Sequence, residues 1–194
     1  MLLDVHMPGT KRKERRGAWL LVGLVSLIIL ISLPLTPIIW NKALAAMGAR
    51  LNVVPYTFSL FLIVLFFLYL LRNWNRYGLF RILLFAAVGA IYIFIMKTYC
   101  KFPAEKLHMV EYGLLAFVAY RALSIDFSAL PAYSLAFALA SSFGFVDELI
   151  QFILPNRSFE VRDVVTNVLA SALGLIVVML LVAPDACQNS RERP

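Results

Sequence analysis

The run AWLLVGLVSLIILISLPLTPII, residues 18–39, decides the class of fold to which this chain belongs. It carries no charged side chain, and a helix of this length, at 1.5 Å per residue, crosses the roughly 30 Å hydrocarbon core of a bilayer. The basic cluster Lys11–Arg16 directly precedes it and is typical of a topology signal. A cleavable signal peptide is the alternative, since Ala43 and Ala45 have suitable spacing, but the apolar core of such a peptide is normally only about 7–15 residues. We therefore predict a first transmembrane helix.

The overall composition also indicates a membrane protein. The chain has 194 residues, of which 62% are hydrophobic, and its mean hydropathy is +0.84. Soluble domains are normally about 45–50% apolar, so this class is excluded. The net charge of +7 lies at the ends of apolar runs, where basic residues anchor helices, and forms no soluble face for phosphates. We predict no nucleic-acid partner.

Five further apolar runs lie at about 53–71, 79–96, 107–125, 130–154 and 163–183. They predict an all-α, polytopic transmembrane helical bundle of about six spans, with both termini on one side. More Lys and Arg residues lie on that side than on the other, which indicates that both termini are cytoplasmic. Cys100 and Cys187 then lie on opposite sides of the membrane, and no disulfide between them is expected.

Ionisable and amide side chains are concentrated in the last three runs, in the segments EKLHMVEY (105–112), DELIQ (147–151) and PNRSFEVRD (155–163). An ionised group at mid-membrane costs on the order of 2.5–3.5 kcal/mol, so such a cluster is a functional-site hypothesis. In the six-span topology the three segments lie at extracytoplasmic helix ends, and within each helix the polar residues share a face. We predict a polar pocket between three helices, covered by the loop 155–163.

Five residues are candidates for acid–base chemistry: His108, Glu111, Asp147, Glu148 and Asp163. His108 can serve either in a structural hydrogen bond or in proton transfer. The helical region contains no second histidine that could join it as a metal ligand. Glu111 is open to pairing with a lysine or a loop arginine. Asp147 and Glu148 are adjacent and desolvated, so one of them is expected to hold a proton at neutral pH. No metal site and no cofactor is predicted.

Six residues are candidate ligand contacts: Lys106, Tyr112, Gln151, Arg157, Arg162 and Asn167. The two amides suit either helix–helix hydrogen bonding or recognition of a polar ligand. The two arginines suit phosphate in a forked geometry, or pairing with nearby acids.

Small residues are expected to allow close approach of the fifth and sixth helices. These are Ala138, Ser142 and Gly144 in the fifth run, and Ala170 and Gly174 in the sixth.

The segments Glu105-Lys106-x-His108-x-x-Glu111-Tyr112, Asp147-Glu148-x-x-Gln151, Leu154-Pro155-Asn156-Arg157, and Arg162-Asp163 with Asn167 and Gly174 resemble the VanZ-like membrane protein family. The resemblance covers about residues 105–174, with Ala170 where the family pattern leads us to expect glycine. It implies a bacterial cytoplasmic-membrane protein that lowers susceptibility to teicoplanin, a glycopeptide antibiotic. The predicted organisation is then a basic cytoplasmic head (1–17), three N-terminal transmembrane helices (18–103), a VanZ-like three-helix region (104–184) and a polar tail (185–194).

The leading hypothesis is a pocket that engages membrane lipids, either an envelope lipid or a lipid-linked cell-wall intermediate. An alternative is a hydrolase or transferase for a lipid-linked substrate, with His108 or Glu111 as base and a protonated Asp147 or Glu148 as acid. No nucleophile elbow, HExxH motif or P-loop supports it. A proton-coupled transporter is a further alternative, disfavoured because the inner halves of the last three runs are nearly all apolar.

Overall fold

A computed structural model describes residues 8–100, 102–155 and 157–191. The remainder of the predicted head and tail and the motif residue Asn156 lie outside the described residues. The described chain contains six α-helices and no strand. They are α1 (Pro8–Met47), α2 (Val53–Arg72), α3 (Trp74–Thr98), α4 (Pro103–Leu123), α5 (Ala129–Ile153) and α6 (Val161–Arg191), with a 3₁₀ turn at Gly48–Asn52. The all-α bundle predicted from the sequence is confirmed.

Five of these helices are long and apolar enough to cross a membrane, which indicates a multi-pass membrane protein. The exception is α4, whose 21 residues include Glu105, Lys106, Glu111 and Arg121. It packs against α6, α5, α1 and α2. Its neighbours therefore bury Glu105, Lys106 and His108, whereas Arg121 at the other end of α4 is exposed.

Two helices are longer than predicted. α1 has 40 residues, or about 60 Å, so it begins within the predicted basic head and exceeds the hydrocarbon core. Arg15 on this extension pairs with Asp126 after α4, at 3.7 Å. α6 continues to Arg191, so the helix includes residues 185–191 of the predicted polar tail. A proline inside a helix removes one backbone hydrogen bond and favours a kink or an end, but α6 continues past Pro184.

The start of the third apolar run coincides with a break in α3. Gly78 has φ 70° and ψ 163°, and divides a short N-terminal segment from the helix that follows. This conformation is strained for residues with a Cβ and accessible to glycine. α3 therefore begins five residues before the predicted start of the run, and its unbroken part begins after Gly78.

Glycines set the distance between the central helices. A Cβ at Gly174 would lie 2.6 Å from the Gly113 carbonyl oxygen, and a Cβ at Gly144 would lie 2.8 Å from Asn167 Cβ. Backbones of α4 and α6 are therefore in direct contact, and α5 approaches α6 closely. Gly144 makes the predicted close contact between α5 and α6, whereas Ala170 and Gly174 make their close contacts with Gly113 of α4 and not with α5.

The predictions for Ala138 and Ser142 were wrong, because both residues are exposed. The buried small residues of α5 are Ala132, Ala136, Ala140 and Gly144. They recur every four residues, which keeps them on one face of a helix with 3.6 residues per turn. Ala138 and Ser142 are offset by two residues and point away from this face.

Candidate functional site

The ends of three helices meet where the sequence predicted a pocket. We call this the site end of the bundle; it comprises the start of α4, the end of α5, the described loop residues before α6, and the start of α6. All five acid–base candidates lie here. α1 also reaches it with Thr36, Pro37, Trp40 and Asn41, a contribution that the sequence analysis missed.

Asp147 and Glu148 form the buried centre of a hydrogen-bond network, and both are fully buried. The Tyr112 hydroxyl donates to Asp147 Oδ2 at 2.5 Å. Gln151 Nε2 donates to Asp147 Oδ1 at 3.2 Å and to Glu148 Oε1 at 2.9 Å. The backbone N–H of Glu160 donates to Glu148 Oε2 at 3.2 Å. Each of the four carboxylate oxygens thus accepts a hydrogen bond, as burial of these groups requires.

His108 is oriented by an acid one turn further along α4. Its Nδ1 lies 3.0 Å from Glu111 Oε2, and 3.8 Å from Asp147 Oδ2. The side chain of His108 is buried, whereas that of Glu111 is 26% exposed. Because Nδ1 is engaged, Nε2 is the ring nitrogen left for a further contact. Glu111 therefore pairs with His108, and not with a lysine or an arginine among the described residues.

Arg162 joins three acids from two segments of the chain. Its Nη2 lies 2.8 Å from both Glu105 Oε1 and Glu160 Oε2, and its Nε lies 3.4 Å from Asp163 Oδ1. The alternative in which Arg162 pairs with nearby acids is thereby confirmed. Glu105 is a further site residue that was not among the predicted candidates. Its position in the motif beside His108 was the available signal.

The same three acids are the group among the described residues best placed to hold a cation. One carboxylate oxygen from each of Glu105, Glu160 and Asp163 can be chosen so that all lie within 4.8 Å of one another. The Arg162 guanidinium contacts all three acids and supplies positive charge there. These contacts offset part of the mutual repulsion of the three acids.

A cavity of about 260 Å³ opens beside these networks. Its polar lining residues are Thr36, Asn41, Glu105, His108, Gln151, Arg157, Ser158, Glu160 and Asp163. Its apolar and aromatic lining residues are Pro37, Trp40 and Phe102. Carboxylates, donors and aromatic rings thus meet in one space. A ligand with both a polar and an apolar part matches such a lining.

Arg157 is the candidate ligand contact with the clearest unmet bonding capacity. Its Nε and Nη2 atoms are buried and have no hydrogen-bond partner among the described residues. A guanidinium presents its donors in a fixed planar fork that matches carboxylate and phosphate oxygens.

Three other predicted ligand contacts lie behind the cavity wall. Lys106 is buried with its amino group 4.9 Å from the centre of the Tyr56 ring, a cation–π contact. Tyr112 donates to Asp147, and Asn167 Nδ2 donates to the Gly144 carbonyl at 3.4 Å. Asp147, Glu148 and Glu111 are not among the lining residues either. These side chains support the site, whereas His108, Gln151, Arg157 and Asp163 face the cavity.

Cys100 lies between α3 and α4, outside the membrane-spanning segments, and its side chain is buried. Burial raises the pKa of the Cys100 thiol to about 12, and the carboxylates of Glu105 and Asp163 act in the same direction. The thiol is therefore protonated at neutral pH and is a poor nucleophile.

Comparison of the chain with known protein families, with curated protein sequences and with solved structures gives no match. The likeness to VanZ-like proteins accordingly depends on the motifs quoted above.

Proposed function

We propose that this chain is a bacterial multi-pass membrane protein whose site end faces outward and binds an envelope lipid or a lipid-linked cell-wall intermediate. The headgroup recognised is a phosphate or diphosphate. The observation that carries this proposal is the Arg157 guanidinium, two of whose buried nitrogen atoms lack a partner among the described residues.

The half-buried Arg157 side chain holds two buried N–H donors without an acceptor among the described residues. This is unfavourable, because the donors have lost hydration and gained no hydrogen bond in return. An anionic ligand in the cavity restores both the charge balance and the hydrogen bonds. A phosphate offers oxygens in the spacing of the guanidinium fork, and such charge-assisted bonds are about twice as strong as neutral ones.

The acidic lining does not oppose this assignment as strongly as its charge suggests. Glu105, Glu160 and Asp163 each contact Arg162, so part of their negative charge is neutralised within the protein. In this proposal Arg162 positions the acids, and Arg157 contacts the ligand. Trp40 and Phe102 line the same cavity and suit the apolar carbon atoms next to a lipid headgroup.

The test is binding of farnesyl diphosphate to the purified full chain in detergent, with farnesol as the uncharged probe. Arg157→Gln is compared with Arg50→Gln, which removes the same charge from an exposed residue outside the cavity. We expect the Kd for farnesyl diphosphate to rise at least tenfold in Arg157→Gln and to stay unchanged in Arg50→Gln. Equal binding by the wild type and Arg157→Gln, or equal binding of farnesol and the diphosphate, contradicts the proposal.

A second candidate function, hydrolysis or group transfer on the bound headgroup, is favoured by the His108–Glu111 contact of 3.0 Å. A carboxylate on Nδ1 fixes the imidazole and raises its basicity, and His108 lines the cavity where Nε2 can accept a proton from a nucleophile. The test is release of phosphate from farnesyl diphosphate by the wild type and by His108→Gln. Turnover that is lost in His108→Gln, with binding retained, supports catalysis. Binding without turnover in the wild type leaves recognition as the function.

A further inference from the structure

A second cavity, of about 480 Å³, lies on another face of α4, between α2, α3, α4 and α6. Its lining residues include Ile63, Val88, Leu114 and Leu173, and none of its described lining residues is shared with the polar cavity. It is thus a separate space with an almost wholly apolar wall.

The surroundings of this cavity are hydrocarbon. α2, α3 and α6 are among the helices long and apolar enough to cross a membrane. Phe58, Phe66 and Leu114 line the cavity and are also exposed on the outside of the bundle. The cavity therefore borders the lipid-facing surface, and the molecules next to it are acyl chains.

Two hydroxyl groups interrupt the apolar lining. Ser59 is 2% exposed, and its Oγ and the Tyr92 hydroxyl are both buried. The two hydroxyls lie close enough to interact with each other, but neither makes a hydrogen bond of good geometry with any described residue. Ser59 lies six residues after the start of α2 and Tyr92 six residues before the end of α3. Both are therefore about 9 Å from the site end of the bundle. A hydroxyl in hydrocarbon is costly unless it finds a partner.

A space of this size and lining calls for an apolar occupant. Protein interiors are close-packed, and water enters a cavity only where several polar partners hold it. We infer that this cavity binds one acyl chain of a membrane phospholipid, with the ester carbonyl oxygen accepting hydrogen bonds from Ser59 and Tyr92. The site is distinct from the Arg157 cavity, so either can fail experimentally without the other.

The test uses the full chain in nanodiscs of phosphatidylcholine, with a minor fraction carrying a diazirine on one acyl chain. Cross-linked residues are mapped by mass spectrometry after irradiation. We expect cross-links at Val88 and Leu173, which line the cavity and are only 6% and 8% exposed. Cross-links confined to residues on the outer surface overturn the inference, and this result requires no variant.

Two variants sharpen the test. Val177→Phe fills the cavity from α6 and should reduce the cross-links at Val88 several-fold. The control Val165→Phe makes the same change at a residue of α6 that is 45% exposed and outside the cavity lining, and should leave them unchanged. Undiminished labelling in a folded Val177→Phe variant overturns the inference.

The hydroxyls are tested by Ser59→Ala combined with Tyr92→Phe, which keeps the shape of the cavity and removes both donors. We expect a several-fold loss of cross-links at Val88. Thr57→Ala is the control, because the Thr57 hydroxyl bonds to the carbonyls of Val53 and Val54 in its own helix. Full labelling in the double variant overturns the assigned ester contact.

Discussion

Arg162 on α6 and Glu105 on α4 are joined by a 2.8 Å contact between Nη2 and Oε1, across 57 positions of the chain. Removing this guanidinium leaves Glu105, Glu160 and Asp163 facing one another without their cation. We expect Arg162→Gln to lower the thermal stability of the full chain in detergent, since unpaired acids in a partly buried site repel.

The same variant should acquire a cation response. Carboxylate oxygens within 4.8 Å of one another are suitable ligands for Ca²⁺ or Mg²⁺. Millimolar Ca²⁺ should therefore restore part of the lost stability in Arg162→Gln and leave the wild type unchanged. An Arg162→Gln variant as stable as Arg50→Gln would show that the three contacts contribute little.

Tyr112→Phe removes the donor to Asp147 Oδ2 and leaves the ring in place. We expect the free energy of unfolding to fall by about 1–3 kcal/mol, because a buried acceptor loses its hydrogen-bond donor. The measurement is the thermal or denaturant unfolding of the purified protein. Tyr99→Phe is the control, since Tyr99 is 43% exposed and lies outside the site. Similar stability of the two variants would contradict the role assigned to the Tyr112 hydroxyl.

Alanine substitutions at three glycines test whether close contact between α4 and α6 requires a residue without a Cβ. Gly174→Ala places a Cβ 2.6 Å from the Gly113 carbonyl oxygen, so α4 and α6 must move apart. We expect this overpacking to lower the free energy of unfolding by about 1–3 kcal/mol. Gly113→Ala meets its nearest neighbour at an ordinary 3.6 Å, and Gly23→Ala meets nothing within 4 Å, so both should be tolerated. Equal unfolding temperatures for all three variants would contradict the close packing.

Orientation is testable with a membrane-impermeant maleimide in intact cells, in a Cys187→Ser background. Ser158→Cys, exposed at the site end, should be labelled from outside, and Ser124→Cys, exposed at the other end, should not. Cys100 adds no background, because its thiol is buried and its pKa is raised to about 12. Labelling of Ser124→Cys alone would show that the topology is the reverse of the predicted one, and would contradict the proposal that the pocket faces outward.

The resistance implied by the motifs is tested by teicoplanin susceptibility in a sensitive Gram-positive host. At matched membrane levels, the wild type and Arg50→Gln should raise the inhibitory concentration, whereas Arg157→Gln should not. The reason is that the proposed headgroup contact depends on the Arg157 donors. Protection by Arg157→Gln equal to that by the wild type would dissociate resistance from this cavity.

The sequence by itself determined the helical bundle and the neighbourhood of the site. Uncharged runs such as residues 18–39 must form helices in a bilayer, where every backbone polar group needs a partner within its own segment. The acids of residues 105–163 stand out against such runs, so their convergence near helix ends was predictable. The spacing of His108 and Glu111 also put them on one face of α4.

Only the tertiary structure decided which side chain meets which. Arg157 and Arg162 are similar in sequence context. Arg162 contacts three acids, whereas Arg157 has two buried donors without a partner among the described residues. Glu105 and the residues of α1 joined the site because helices distant in sequence pack beside it. Helical periodicity fixes the relative directions of side chains within one helix, but the rotation of α5 toward its neighbours depends on contacts such as Gly144 with Asn167 of α6. That rotation is why Ala140 is buried and Ala138 is not.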